Sequence, residues 1–119
     1  MSFDPGSADV HELAVKYFKE NGVKVVHGKV MGIKTLHGLA VPSPGEIYRL
    51  AKGAWDERPE ADGLFIGCLN FRAHDVIQDL ENYTARPVVT SSQATLWAVL
   101  RLAGIRDSIA GYGKLLTYA

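Results

Sequence analysis

The chain lacks most of the features that would announce a function outright. Among its 119 residues there is one cysteine, Cys68, so no disulfide can form within it, and a reducing cytoplasmic setting is expected. The four histidines, His11, His27, His37 and His74, lie far apart with no ligand spacing, and a lone cysteine does not make a zinc site, so no metal is expected. Thirteen basic residues balance thirteen acidic ones, which leaves no net charge to favour nucleic acid or an anionic membrane. Lys16, Lys19, Lys24, Lys29 and Lys34 tint the first third basic, but no aromatic residues interleave with them as stacking platforms, so they read as a solvated face. The longest apolar run, Leu64 to Leu69, is far too short to cross a bilayer. Met1-Ser2-Phe3-Asp4-Pro5 offers neither a basic segment nor an apolar one, so no secretory signal is expected.

What is present is the pattern of one globular domain spanning 1–119. Hydrophobic content of 47% with 22% charge suits a packed core. From Ser7 to Asn21, Val10, Leu13, Ala14, Tyr17 and Phe18 fall on one helical stripe, with Ser7 as cap and Asn21-Gly22 as stop. Val23-Lys24-Val25-Val26-His27 is β-branched and partly alternating, which predicts a strand. Ser43-Pro44 with Glu46 predicts a second helix through Ile47, Leu50, Ala51 and Trp55. The stretch Asp62 to Arg72 predicts a short buried strand that ends in Gly67-Cys68 and turns at once into a helix, which carries Ala73, Val76, Ile77 and Leu80 on one face. Arg86-Pro87-Val88-Val89-Thr90 predicts a third strand, and Ser91 or Ser92 is expected to cap a last helix that ends at Gly104. Trp55 and Trp97 are expected in the core. Gly111-Tyr112-Gly113 followed by Leu115-Leu116 reads as a tight loop and an apolar anchor.

Helices alternating with strands imply an α/β fold: a three-layer α/β/α domain with a mainly parallel sheet. Doubly wound domains normally begin with a central strand, and here the first predicted element is a helix. A gap in the sheet is therefore expected, filled by association or by a rearranged strand order.

Two strand ends carry the polar chemistry. Gly67-Cys68 ends the second predicted strand, and Leu69-Asn70 leads into a helix. Cys68 is either a small buried hydrophobe or a thiolate held by N–H groups at the helix start. Gly67 permits close approach of a substrate to the backbone, and Asn70 either caps the helix or offers its amide to a carboxylate. Thr90-Ser91-Ser92-Gln93 stands at the next strand end, either as a simple cap or as an anion pocket. Neighbouring parallel strands present these ends along one edge, where ligands gather in open α/β sheets. A thiol beside a carboxylate pocket points to proton transfer at carbon next to a carboxylate, or to addition to an activated alkene. His74 reads as a surface or packing residue, and Arg72, nearer the helix start, either attracts an anion or is simply solvated.

These same residues resemble a known family. Gly67-Cys68-Leu69-Asn70-Phe71-Arg72 is similar to the Ser-Cys-Thr-Asn-Leu-Arg stretch of maleate cis-trans isomerases. Pro87 to Trp97 and Gly111 to Leu116 look like that family's closing segments, and the match runs more loosely from about Asp9 to the end. The chain thereby resembles the second domain of the aspartate/glutamate racemase superfamily, in the group of maleate isomerase and arylmalonate decarboxylase. That resemblance implies two similar α/β domains about a pseudo-two-fold axis, of which this chain matches one. It implies that Cys68 is the second-domain cysteine that protonates carbon, and that Gly67, Leu69, Asn70, Thr90, Ser91 and Ser92 lie near the substrate. It implies no cofactor and no metal, with a small dicarboxylate as ligand. A homodimer or a partner domain would have to supply the other half of the cleft. Two departures stand out: Met1-Ser2-Phe3 where relatives carry Thr-Pro-Tyr, and no asparagine between Thr35 and His37. A non-catalytic module that binds small anions, or an inactive fragment of a two-domain enzyme, is the alternative reading.

Overall fold

The structure is a computed structural model that describes residues 8–33, 35 and 37–119. The described residues form four α-helices: α1 (Ala8–Glu20), α2 (Pro44–Glu57), α3 (Ile77–Thr84) and α4 (Ser91–Leu102). Two strands, β1 (Leu64–Ile66) and β2 (Val88–Thr90), pair in parallel with Leu64 opposite Val88 and Ile66 opposite Thr90. The α/β class with a parallel sheet is thus as the sequence implies.

Alternation along the strands decides where the core lies. Ile66, Val88 and Thr90 are buried, and this face of the sheet meets Ile47 and Ala51 of α2 and Ile77 and Leu80 of α3. Phe65 points the other way and meets Phe18 of α1 edge-on, with ring centroids 5.2 Å apart. Trp55 is buried at the end of α2, whereas Trp97 is only half-buried and its indole N–H reaches the Tyr118 carbonyl at 3.3 Å. The apolar stripe of α1 is largely unpacked, with Leu13 and Tyr17 each 64% exposed. On α4, Leu96, Val99 and Leu102 are exposed as well.

The start of α2 follows its sequence signature. Ser43 accepts from the Glu46 N–H while the Glu46 carboxylate accepts from the Ser43 N–H at 2.7 Å, with Pro44 in the first turn. Those bonds hold the Glu46 carboxyl below its ordinary range. α1 stops as expected, Gly22 adopting φ +81° after Asn21 bonds back to Tyr17. The expected cap Ser7 lies outside the described residues, as do Phe3, Lys34 and Leu36.

The strand expected at Val23 to His27 is a correction. Among the described residues this segment joins no ladder, and the sheet has two strands. β-branched residues favour an extended backbone, but a ladder needs a neighbouring strand to bond with. Side chains hold the segment instead. Lys29 and His27 both pair with Glu57, the latter at 2.8 Å, and Arg58 donates to the Val26 carbonyl at 3.1 Å. Met31 and Ile33 then pack on the core beyond this clip.

Behind β2, the Glu81 carboxylate accepts from the N–H groups of Val88 and Lys114, both within 3.1 Å. It ties α3, the sheet and the C-terminal 3-10 turn Lys114–Thr117 together. Leu116 in that turn is buried, as an apolar anchor should be.

Candidate functional site

The two polar strand ends meet. Cys68 donates its backbone N–H to the Ser91 hydroxyl at 3.2 Å, a bond across 23 residues that joins the ends of β1 and β2. Cys68 is half-buried and packs on the core cluster on one side, while Leu69 and Asn70 beside it are exposed. Gly67 is buried just before it. The site therefore sits at the carboxyl edge of the parallel sheet and borders solvent.

The approach to α3 differs from the sequence expectation. The chain closes a turn in which the Phe71 N–H reaches back to the Cys68 carbonyl at 3.3 Å. A 3-10 turn follows at Ala73–Val76, and the α-helix begins only at Ile77. Cys68 is thus separated from the helix start, and Asn70 does not cap it; no side chain caps either segment. The cause is burial: Phe71 is 3% exposed, and the chain must dip to place its ring in the core before a helix can start. Ala73, Val76, Ile77 and Leu80 are then all buried, as their spacing predicts.

The cap of α4 is also corrected. Thr90, rather than Ser91 or Ser92, is the N-cap, fully buried, with its hydroxyl accepting from the Gln93 N–H at 3.1 Å. The Gln93 amide oxygen accepts from the Thr90 N–H at 3.3 Å, completing a reciprocal capping box. Because Thr90 takes the capping role, Ser91 and Ser92 are left at the first turn of the helix, half-buried and facing other work. The Ser92 hydroxyl lies 3.4 Å from that of Thr90.

Sequence reasoning missed Gln93 as a builder of the site. Its amide N–H reaches the Tyr112 carbonyl at 2.6 Å and pins the 109–116 segment against α4. The resulting hollow, about 260 Å³, is walled by Ile77, Leu96, Ile109, Tyr112 and Leu116, with His74 and Ser92 at its polar points. The advance signals were the place of Gln93 in the Thr90-Ser91-Ser92-Gln93 cluster and the Gly111-Tyr112-Gly113 turn. A larger hollow of about 370 Å³ lies beside Arg86 and Pro87, at the opposite end of β2 from Ser91, and takes no part in this edge. Among the described residues, no group of three His, Cys, Asp or Glu side chains stands close enough to hold a metal ion. None of the described helices is long and apolar enough to cross a membrane.

A family profile described as arylmalonate decarboxylase matches residues 6–116. The chain belongs to the arylmalonate decarboxylase family. It is 29% identical over 108 residues to the arylmalonate decarboxylase of Bordetella bronchiseptica, aligning 90% of this chain with 45% of that protein. It is 27% identical over 108 residues to a maleate isomerase of Pseudomonas putida, aligning 91% of this chain with 43% of that one. Among solved structures, a liganded double mutant of arylmalonate decarboxylase superposes with a TM-score of 0.86 at 28% identity, covering 91% of this chain and 46% of the other. A second maleate isomerase from Pseudomonas putida shares the fold, with a TM-score of 0.84 at 23% identity over 92% of this chain and 44% of its own. The chain spans about half the length of the curated relatives it matches.

Proposed function

We propose that this arylmalonate decarboxylase family chain forms one wall of a thiol acid/base site for small dicarboxylates. Cys68 exchanges a proton with the carbon next to a carboxylate, in a decarboxylation, isomerisation or racemisation. For decarboxylation, the bond from that carbon to the departing carboxylate breaks and CO₂ leaves. The electron pair is held as an enediolate, and the thiol then delivers its proton to carbon. The observation that carries the reading is the Cys68 N–H to Ser91 hydroxyl bond, which sets the thiol residue beside a row of hydroxyls at a sheet edge. A serine hydroxyl that accepts from Cys68 still has its own O–H to donate to a substrate oxygen. Ser92 adds a second donor, Thr90 holds both in place, and Gly67, Leu69 and Asn70 frame the approach.

The other wall comes from a second copy of the chain or from a companion domain. Its half-length match to the relatives supports this, and so do the exposed Leu69 and Asn70 beside the thiol. A two-fold pair would set two Cys68 thiols across one cleft. No cofactor enters the scheme.

The test is turnover of phenylmalonate and maleate by the assembled protein, with Cys68→Ser alongside. Activity that disappears in the serine variant while carboxylate binding persists supports the reading. Full activity in Cys68→Ser sinks it. Carboxylate binding with no turnover in any assembly would leave a binding module in its place.

A further inference from the structure

The larger hollow, where α3 runs into β2, has a chemistry of its own. At about 370 Å³ it has the size of a small-molecule site. Its charged lining is Arg86, Lys114 and Glu81. Among the described residues neither cation enters an ion pair. Glu81 is already engaged, its carboxylate accepting from the backbone N–H groups of Val88 at 3.0 Å and Lys114 at 3.0 and 3.1 Å. Two cations thus stand beside one carboxylate whose oxygens are occupied, and the balance favours an anion. The carboxyl end of α3 opposes this, but through screened partial charges, whereas Arg86 and Lys114 each carry a full one. The rest of the lining is built for hydrogen bonds, and among the described residues no aromatic or large aliphatic side chain joins it. Gln78 donates its amide N–H to the Asn82 oxygen at 3.2 Å, which leaves the Gln78 oxygen as an acceptor and the Asn82 amide as a donor. Gly111, at φ +91°, brings bare backbone to the wall, and even a Cβ there would meet nothing within 4 Å.

We infer that this hollow binds a phosphate monoester with a short hydroxylated body. Such an ester carries about −1.5 to −2 charge near neutral pH and three acceptor oxygens, enough to engage a guanidinium and an ammonium together. A single carboxylate, with one charge, satisfies only one of them. The hydroxyls of the body pair with the Gln78 oxygen and the Asn82 amide. The site lies at the opposite end of β2 from Ser91 and does not depend on the proposed thiol chemistry.

The experiment titrates the full chain with glycerol phosphate, inorganic phosphate and glycerate, following backbone amides by NMR. Saturable shifts are expected at Asn82, Gly111 and Lys114, with glycerol phosphate bound about three- to ten-fold tighter than either of the others. Arg86→Gln and Lys114→Gln should each weaken it about five- to ten-fold, and together abolish it. Both residues are exposed, and the Glu81 tie uses the Lys114 backbone, so thermal unfolding should show the fold intact. Cys68→Ser and Ser91→Ala are expected to leave this binding unchanged, so a failure of the thiol reading appears in turnover and a failure of this site in the titration. Absence of saturable shifts at the three amides overturns the inference. So do shifts confined to Ser91 and Ser92, or an affinity that ignores both charge substitutions. Inorganic phosphate or glycerate bound as tightly as the ester overturns it as well.

Discussion

Replacing Gly113 with alanine would drive a methyl carbon into Cγ2 of Ile77 and place it 3.0 Å from the amide nitrogen of Gln93 and 3.2 Å from a Glu81 carboxylate oxygen. None of the three can move cheaply. Ile77 is fully buried, Gln93 holds both the α4 cap and Tyr112, and Glu81 ties β2 to the C-terminal turn. Gly113 also adopts φ +81° with ψ 171°, a region nearly reserved for glycine. The backbone strain costs about 1–3 kcal/mol and the overpacking about 1–3 kcal/mol more. Gly111 supplies the internal control: its φ is +91°, but a methyl group there meets nothing within 4 Å. Gly111→Ala should therefore carry only the backbone part, about 1–2 kcal/mol. Urea unfolding followed by tryptophan fluorescence, with Trp55 as the buried reporter, measures both variants on one scale. The Gly113 variant is expected to lose roughly 2 kcal/mol more than the Gly111 variant. Equal losses would show that the contact with Ile77 is not tight, and that the wall of the apolar hollow is looser than described.

Three other perturbations probe the same edge and its supports. Thr90→Val keeps the shape but leaves the buried Gln93 N–H without its acceptor; a loss of about 1–2 kcal/mol is expected by urea unfolding, with Thr90→Ser recovering most of it. Ser91→Ala removes the acceptor for the Cys68 N–H and should cost about 1 kcal/mol. Hydrogen exchange at the Cys68 amide should speed up, and an unchanged exchange rate would deny the bond. The Glu57 carboxyl is held below its ordinary value of 4.5, first by the hydrogen bond from Lys29. A depressed carboxyl contributes stability above its unfolded value, and that contribution fades as pH falls through the folded one. Hydrogen exchange of residues 26–30 should therefore rise below pH 4.5 in the parent chain, and Glu57→Gln should show that rise already at neutral pH.

The elements most legible in the sequence are those whose signals are local. Ser43-Pro44 with Glu46 names the start of α2 because every bond of that capping box lies within four residues. Asn21-Gly22 and Gly104 mark helix ends for the same reason, since a positive φ is a property of one residue. β1 is legible from its short apolar run and β2 from its β-branched one, and their parallel pairing follows from the helix between them. Val23 to His27 shows where this stops. Its composition favours an extended backbone, but whether a strand lies alongside is decided elsewhere in space. The same limit applies to α1: its apolar stripe is plain in the sequence, yet Leu13 and Tyr17 face outward because no described element covers them.

The candidate site fails to be legible in a more instructive way. A cysteine at a strand end suggests a thiol on a helix start, and the two differ here by the burial of one ring. Phe71 enters the core before the helix begins, so the N–H group nearest the thiol residue in its hydrogen-bond pattern is its own, turned toward Ser91. Orientation of Cys68 then depends on β2 and α4 rather than on α3. Thr90 reinforces this: by burying its hydroxyl as the cap, it fixes the first turn of α4 and hence where Ser91 can stand. Gln93 extends the same chain of bonds to Tyr112 and the apolar wall. Three polar side chains within four residues, each with different partners, thus connect thiol residue, hydroxyls and hollow. Thr90, Ser91 and Gln93 are indistinguishable by type from ordinary capping residues, and only their partners in space separate capping from assembly of a site.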